Sequence, residues 1–301
     1  MRLISIIGLA MCCHIIMAQT PGIKHVLVIG VDGMSPDGIM KAPTPVMDSL
    51  MAKGAFTFKD KAVLRTNSSP NWASMIMGAD HNKHKVHTNN WELSKIRKKS
   101  LCGGKKGELW PTIFRIVREA KPQANIAVFH DWDGFGRLVE NNVCTVKKDC
   151  NAEDSATLEA AAYIKQHQPL LTFLHLDHVD HAGHADGHGS PSYYQAVAKA
   201  DSLIGVLLNS LQKAGIDKET LVIITADHGG KGHGHGGRSD AERLVPWIIY
   251  GPGVTKGKTI TTEVNTYDTA ATIAWVLGIQ PPECWTAQPV TDAFETTTVK
   301  K

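Results

Sequence analysis

The sequence has no strong excess of charge of either sign, no low-complexity tract and no internal repeat. Its 32 basic and 29 acidic residues give a net charge of +3, which is too small to indicate a nucleic acid or a membrane surface as partner. We therefore expect no nucleic-acid duplex among its partners. With 301 residues, 43% of them hydrophobic, the chain is long enough to bury a sizeable core.

Long hydrophobic runs are also absent, except at the N-terminus. The basic Arg2 is followed by an almost wholly apolar stretch that ends near the small residue Ala18. This pattern is typical of a secretory signal, and the stretch is too short for a comfortable membrane span. We interpret 1–18 as a signal peptide and 19–301 as one exported domain, periplasmic or extracellular, without a stable membrane span after cleavage. A retained N-terminal anchor is the alternative.

Cysteine is scarce, and none of it has Cys-x-x-Cys spacing, which argues against a zinc site built from cysteines. Two of the six cysteines lie in the predicted signal peptide. The four that remain permit two disulfides in an exported protein, and the sequence does not choose among the pairings. Cys144 and Cys150 are close enough in sequence to pair in a loop.

The chain does contain apolar, β-branched runs that alternate with segments of helical periodicity. Such runs are typical of strands buried on both faces of a parallel sheet. The runs are 25–30, 125–129, 170–175, 220–225 and 245–250, and the helical segments include 44–53, 109–120, 156–166, 193–214 and 269–277. This alternation predicts a three-layer αβα sandwich around a mostly parallel central sheet.

Histidine and aspartate are concentrated directly after these predicted strands. Eight of the 15 histidines lie between residues 175 and 235. Asp32 follows the first run, Asp180 lies five residues after the third, and the pair Asp227-His228 follows the fourth. Ligands bind beyond the carboxyl ends of the strands in such sheets, so we expect these groups to converge. Imidazole and carboxylate together are common zinc ligands, and the sequence therefore predicts a metal site.

The ligand assignment in the third cluster is open from spacing alone. Asp180 and His184 are four residues apart and can face the same way in one helical turn. Asp177 and His181 have the same spacing. A histidine-rich, solvated loop that binds metal without catalysing a reaction is the alternative for the whole set.

A hydroxyl group lies in a turn before another predicted helix, in the segment Arg-Thr-Asn-Ser68-Ser69-Pro-Asn. A serine in this place suits a nucleophile, because the amides at a helix N-terminus favour a bound phosphate. Simple capping of the helix is the competing interpretation.

In this order, Asp32-Gly, Asp180-x-x-Gly-His184, Ala-Asp227-His228-Gly and Gly-His235-Gly resemble the motifs of the alkaline phosphatase superfamily. The similarity is greatest to its nucleotide pyrophosphatase/phosphodiesterase branch and extends over most of the predicted mature chain. The resemblance implies two zinc ions. It assigns one to Asp180, His184 and His235, and the other to Asp32, Asp227 and His228. His233 competes with His235 for the last position.

The resemblance also implies the catalytic residues. The family's nucleophile stands two residues before a Pro-Asn pair, which is Ser68 here, and it lies close to the metal ions. An asparagine 21 residues later contacts a phosphoryl oxygen, which corresponds to Asn89, with Asn90 adjacent.

The expected function is that of an exported dizinc hydrolase of small phosphoric esters that acts through a phospho-serine intermediate. The segment 125–136 has no Lys-x-Arg pair of the kind that one related group carries for the extra charge of a monoester. Its absence favours a phosphodiesterase or pyrophosphatase. An alkaline phosphomonoesterase and a metal-binding non-enzyme are the alternatives, and the sequence indicates neither the leaving group nor the oligomeric state.

Overall fold

The computed structural model describes residues 22–94, 102 and 108–295, so the predicted signal peptide lies outside the described residues. At its centre is an eight-stranded sheet. The strands are β1 His25–Val31, β2 Ala55–Lys61, β3 Ile126–His130, β4 Val146–Asp149, β5 Leu171–Leu176, β6 Thr220–Thr225, β7 Leu244–Tyr250 and β8 Lys258–Thr259. Their spatial order is β4-β3-β5-β1-β6-β7-β2-β8.

The sheet is mostly parallel, as predicted. Strand β1 pairs in parallel with β5 on one side and β6 on the other, and β3 pairs in parallel with β5 and β4. Strand β7 pairs antiparallel with both β6 and β2 and so runs against the rest. Strands β2, β4 and β8 were not predicted, because β2 alternates buried with partly exposed residues, β4 is largely exposed and β8 has only two residues. None of them has the continuous apolar run of a strand buried on both faces.

Helices cover both faces of the sheet. They are α1 Pro36–Lys41, α2 Pro45–Lys53, α3 Ser68–Met77, α4 His81–His84, α5 Ile113–Ala120, α6 Asp133–Gly136, α7 Glu153–His167, α8 His178–Asp186, α9 Pro191–Ala214, α10 Asp240–Arg243 and α11 Asp268–Val276. Each predicted helical segment corresponds to one of them. The longest, α9, begins after Ser190, whose side chain accepts a hydrogen bond from the Tyr193 amide, and it ends at a left-handed Gly215.

The alternation of side chains along β1 explains the three layers. Val26 and Val28 point into a core formed with α3, α5 and α11. Leu27 and Ile29 point into a second core on the opposite face, formed with α1, α2, α7 and α9. Because successive strand residues face opposite sides, an unbroken apolar strand requires a helical layer on each face. The predicted αβα sandwich is confirmed.

A disulfide joins Cys102 to Cys284. Cys144 and Cys150 carry free thiols, so the suggested pairing of these two is wrong. Sequence proximity did not decide the pairing, because a disulfide requires a particular approach of the two side chains. Within the described residues, no helix combines the length and the apolar character that a membrane span requires.

Candidate active site

Two neighbouring strand ends place two aspartates side by side. Strands β1 and β6 pair in register through Gly30 and Thr225. Asp32 and Asp227 each lie two residues beyond that pair and therefore reach the same edge of the sheet. The Gly33 amide donates a hydrogen bond to Asp227 Oδ1 over 3.2 Å, which links the two strand ends directly.

Four potential ligand atoms converge at this edge. His228 Nε2 is 3.1 Å from Ser68 Oγ, 3.3 Å from Asp32 Oδ1 and 3.2 Å from Asp227 Oδ2. Ligand atoms of a tetrahedral zinc with bonds of about 2.0–2.1 Å are about 3.3 Å apart. The side chains of Asp32, Asp227 and His228 are at most 1% exposed. We call this group, with Ser68, the inner site.

A second group lies beside the first, and we call it the outer site. Asp180 Oδ2 is 3.2 Å from His184 Nε2, and His235 Nε2 lies 3.1 Å from His184 Nε2 and 3.8 Å from Asp180 Oδ2. Asp180 and His184 are one turn apart on α8, so they share a face. The rings of His228 and His235 stack with centroids 3.7 Å apart, which makes the two sites neighbours.

The histidine rings are oriented for metal binding. Each donates a hydrogen bond from Nδ1 to a backbone carbonyl, which leaves the Nε2 lone pair for the site. The pairs are His228 with Gly229 (2.8 Å), His184 with His233 (2.9 Å) and His235 with Thr66 (2.8 Å). In this tautomer the Nε2 lone pairs of His184 and His235 face each other across 3.1 Å. Such an arrangement is repulsive unless a cation lies between them.

The protonation of the carboxylates also indicates that the site fits bound cations. Burial, and then the charge of Asp32, raise the pKa of Asp227 well above its ordinary value and raise the pKa of Asp180 to about 9. Burial opposes ionisation of Asp32 too, but the close imidazoles of His175 and His228 and a hydrogen bond from Trp72 Nε1 bring its pKa to about 2. One oxygen on each of these aspartates is buried without a hydrogen-bond partner in the described part of the chain. A cluster of this kind fits divalent cations, and its donors are those that zinc prefers.

Ser68 is the first residue of α3, where the sequence predicted a hydroxyl before a helix. Its Oγ faces His228 Nε2, whereas the neighbouring Ser69 Oγ is buried without a hydrogen-bond partner among the described residues. Asn89 Oδ1 accepts a hydrogen bond from the Ser69 amide over 2.9 Å. The Asn89 side chain therefore lies beside the start of the helix, with its amide NH2 as a further donor, while Asn90 is exposed.

The structure separates the two assignments that spacing left open. His181 is exposed on α8, and Asp177 faces Asp32 and His175 instead. His233 is exposed, and its Nδ1 donates to the His184 carbonyl. Asp180, His184 and His235 are therefore the members of the two alternative sets that come together in the outer site.

One supporting pair was missed by the sequence reasoning. His175 at the end of β5 and Asp131 just after β3 approach each other, with Nδ1 3.2 Å from Oδ1. Burial lowers the pKa of His175, but the carboxylates of Asp131 and Asp32 on either side of the ring outweigh it and raise that pKa to about 9. Asp131 follows an apolar strand just as Asp32 does, so the strand-end rule that selected Asp32 could also have selected Asp131.

Comparison with known proteins identifies a family and several relatives to which the chain is similar. The sequence matches the family described as type I phosphodiesterase/nucleotide pyrophosphatase over residues 26–234. It is 25% identical over 193 residues to ectonucleotide pyrophosphatase/phosphodiesterase family member 1 of Mus musculus, a match covering 62% of this chain and 21% of that protein. It is 25% identical over 238 residues to family member 5 of Homo sapiens, covering 75% and 49%. The chain thus spans between 21% and 49% of the length of these relatives.

Solved structures share the fold. Murine ectonucleotide pyrophosphatase/phosphodiesterase 5, as an inactive variant in complex with AMP, superposes with a TM-score of 0.73 at 16% identity, covering 90% of this chain and 100% of that one. A 2-O GAG sulfatase superposes with a TM-score of 0.76 at 15% identity, covering 92% and 75%. Likenesses at these identities establish the common architecture.

Proposed function

Because the chain belongs to the type I phosphodiesterase/nucleotide pyrophosphatase family of the alkaline phosphatase superfamily, we propose that it hydrolyses small phosphoric diesters with two zinc ions and a phospho-serine intermediate at Ser68. The observation that carries the proposal is the position of Ser68 Oγ, 3.1 Å from His228 Nε2 in the inner site and next to the outer site. A hydroxyl group placed among metal ligands fits a nucleophile and has no evident structural purpose.

In the proposal, Asp32, Asp227, His228 and Ser68 hold the inner ion, and Asp180, His184 and His235 hold the outer ion. Bound zinc supplies the Lewis-acid charge that lowers the pKa of the serine hydroxyl and stabilises negative charge on the phosphoryl oxygens. The carbonyls that bind each Nδ1 keep the three histidines in the tautomer that this requires.

The chain's own residues then perform two displacements. Ser68 Oγ forms a bond to phosphorus as the bond from phosphorus to the leaving oxygen breaks, and the leaving group departs as an alcohol after protonation. Asn89 donates a hydrogen bond from its side-chain amide to a phosphoryl oxygen as charge develops there. Water then attacks the phosphorus of phospho-Ser68, which releases the monoester and restores the serine.

The names of the relatives support a nucleotide ester as the proposed substrate class. Their names describe nucleotide pyrophosphatases and phosphodiesterases, and the murine neighbour holds AMP, so a nucleotide ester is the first substrate to test. Export fits both the predicted signal peptide at 1–18 and the "ecto" in the names of the relatives.

Substitution of Ser68 by alanine, with Ser69→Ala as the matched control, tests the proposal. Zinc-loaded protein is assayed with bis-p-nitrophenyl phosphate, p-nitrophenyl thymidine monophosphate and p-nitrophenyl phosphate. We expect Ser68→Ala to lose about 10³-fold or more in turnover of the diesters while zinc content stays near two per chain. Ser69→Ala should retain most activity, because its hydroxyl makes no hydrogen bond within the described residues.

Other results select the alternatives. Faster turnover of the monoester than of either diester favours an alkaline phosphomonoesterase. Tight zinc binding without hydrolysis of any of the three esters favours a metal-binding non-enzyme. Full activity of Ser68→Ala excludes the phospho-serine mechanism.

A further inference from the structure

Two buried histidines lie outside the ligand sets, and each points at one of their aspartates. His175 Nε2 is 3.4 Å from Asp32 Oδ2, and the His175 side chain is fully buried. His188 Nε2 is 3.8 Å from Asp180 Oδ1, and the His188 side chain is 4% exposed. Within the described residues, His175 Nε2 and both ring nitrogens of His188 have no hydrogen-bond partner. A buried polar nitrogen without a partner is costly, which calls for an explanation.

In both pairs the contact uses the carboxylate oxygen that turns away from the neighbouring ligands. Asp32 directs Oδ1 towards His228 and Oδ2 towards His175, and Oδ2 also accepts a hydrogen bond from Trp72 Nε1 over 2.9 Å. Asp180 directs Oδ2 towards His184 and Oδ1 towards His188. Each carboxylate thus bridges between one cation site and one buried imidazole.

The His175 ring is held in place on several sides. Its Nδ1 donates a hydrogen bond to Asp131 Oδ1 over 3.2 Å, and Asp131 accepts a second hydrogen bond from the Asp177 amide over 3.0 Å. Phe135 stacks on the ring with centroids 4.9 Å apart, and Trp72 meets it edge-on at 4.8 Å. With Nδ1 engaged as a donor and no freedom to rotate, Nε2 can only face Asp32.

The His188 ring packs against the backbone of two glycines, one next to an outer ligand and one near an inner ligand. A Cβ atom on Gly183, next to His184, would lie 2.5 Å from the ring, and one on Gly230, two residues after His228, would lie 2.1 Å from it. The glycines therefore leave a slot that the imidazole fills. The His188 amide also donates a hydrogen bond to the Gly232 carbonyl over 2.7 Å. This bond fixes the loop between α8 and α9 against the glycine-rich loop 229–237 that follows β6.

We propose that His175 and His188 are positioning residues, each of which orients the aspartate of one site: His175 acts on the inner ion through Asp32, and His188 acts on the outer ion through Asp180. Each holds the far carboxylate oxygen so that the near oxygen faces its ion. The His188 contact of 3.8 Å is longer than a hydrogen bond, so the proposal requires it to shorten when Asp180 binds a cation. This inference rests on the proposed two-ion assignment.

Variants that keep only one of the two zinc sites allow the zinc affinity of each site to be measured separately. Asp227→Asn removes a ligand of the inner ion and leaves the outer ion, and His184→Ala does the reverse. Each background is stripped of metal and titrated with zinc in competition with a chromophoric chelator. The readout is a dissociation constant and does not depend on activity.

The two histidines should act on different ions. Partners of metal ligands typically contribute about 10- to 100-fold to metal affinity. We therefore expect His188→Ala to lower zinc affinity at the outer site by about 10- to 100-fold and at the inner site by less than about threefold. His175→Ala should have the reverse effect on the two affinities. Glutamine at either position, which keeps an N–H donor, should recover part of the loss. If His175→Ala does not fold, His175→Gln and Asp131→Asn provide the test for the inner ion.

The control is His178→Ala, which removes a half-buried imidazole from the same helix as Asp180. Its Nε2 donates a hydrogen bond to the Ala196 carbonyl on α9 rather than to a metal-binding aspartate, so both affinities should remain unchanged. Equal effects of His175→Ala and His188→Ala on the two ions, or no effect on either, would overturn the inference. Wild-type protein that binds fewer than two zinc ions would instead overturn the two-ion assignment itself.

Discussion

The inner and outer sites use the same ligand chemistry but differ in what holds them. The proposed inner ligands Asp32, Asp227 and His228 stand at the ends of the adjacent central strands β1 and β6 and are almost completely buried. Two outer ligands lie on α8 and the third in a glycine-rich loop, and the His184 side chain is 48% exposed. Central strands are the least mobile part of a parallel sheet, whereas loops and helix faces adapt more easily.

Because the two sites differ in burial, we expect them to have different roles in the proposed reaction. The buried site contains the Ser68 hydroxyl, whose position must be accurate for attack on phosphorus. In the proposed mechanism the outer site faces solvent through His184, and the leaving group would depart and water would enter on this side. Substitutions and metal removal should therefore affect the two sites to different extents.

Substitution of an inner ligand should cause the largest loss of activity. Asp227→Asn removes a buried charge that holds the inner ion beside Ser68, and we expect kcat/KM for bis-p-nitrophenyl phosphate to fall by about 10³-fold or more. His184→Ala leaves two outer ligands in place, so its loss should be smaller and partly reversed by added zinc. Equal losses without recovery would remove the distinction between the sites.

A smaller effect should follow from forcing the sites apart. Gly33 has φ +69°, and a Cβ there would lie 2.8 Å from the Cα, Cβ and Oδ1 atoms of Asp180. We expect Gly33→Ala to displace Asp180 and lower kcat about 100-fold, since small displacements in an active site have effects of this size. Gly232→Ala is the matched control, because Gly232 has φ +60° and a Cβ there would meet no atom of the described residues within 4 Å. Similar losses in both variants would point to backbone strain alone.

The order of metal loss should also separate the sites. Because the outer ligands are more exposed, we expect a chelator to remove the outer ion first, with the two dissociation constants about tenfold or more apart. Metal analysis during stepwise dialysis should show a plateau at one zinc per chain, and His184→Ala should start at that plateau. Simultaneous loss of both ions would contradict the comparison.

The smallest effect concerns the stability of metal-free protein. The pKa of Asp180 is raised to about 9 and that of Asp227 well above its ordinary value, so above about pH 7, where unfolded carboxylates and histidines have lost their protons, the folded state binds more protons than the unfolded state. Stability of the stripped protein should therefore fall as pH rises from 7 towards 9, by a few degrees in Tm. Calorimetry at pH 7 and 9 checks this, and zinc-loaded protein should show no such fall. Asp227→Asn should reduce the dependence more than Asp180→Asn, because Asp227 is more deeply buried.

The features that the sequence predicted depend on local patterns. Strands β1, β5 and β6 are continuous apolar runs, and the aspartates that follow them could be placed on one edge because parallel strands end together. The position of Ser68 at a helix start followed from its local turn. Strand β2 lacks such a run, and its pairing with β7 depends on partners far along the chain.

The features that the sequence did not predict depend on long-range packing. The disulfide joins residues 182 positions apart, and nothing near Cys102 selects Cys284. His175 reaches Asp32 only because β5 and β1 are neighbours in the sheet. His188 resembles any histidine in a glycine-rich loop until the slot between Gly183 and Gly230 is formed.

The most direct test of the two-ion site is a crystal structure of zinc-loaded protein with anomalous scattering recorded at the zinc edge. We predict two peaks about 4 Å apart, one bound by Asp32, Asp227 and His228 within reach of Ser68 Oγ, and one bound by Asp180, His184 and His235. A single peak, or peaks remote from Ser68, would contradict the two-ion site.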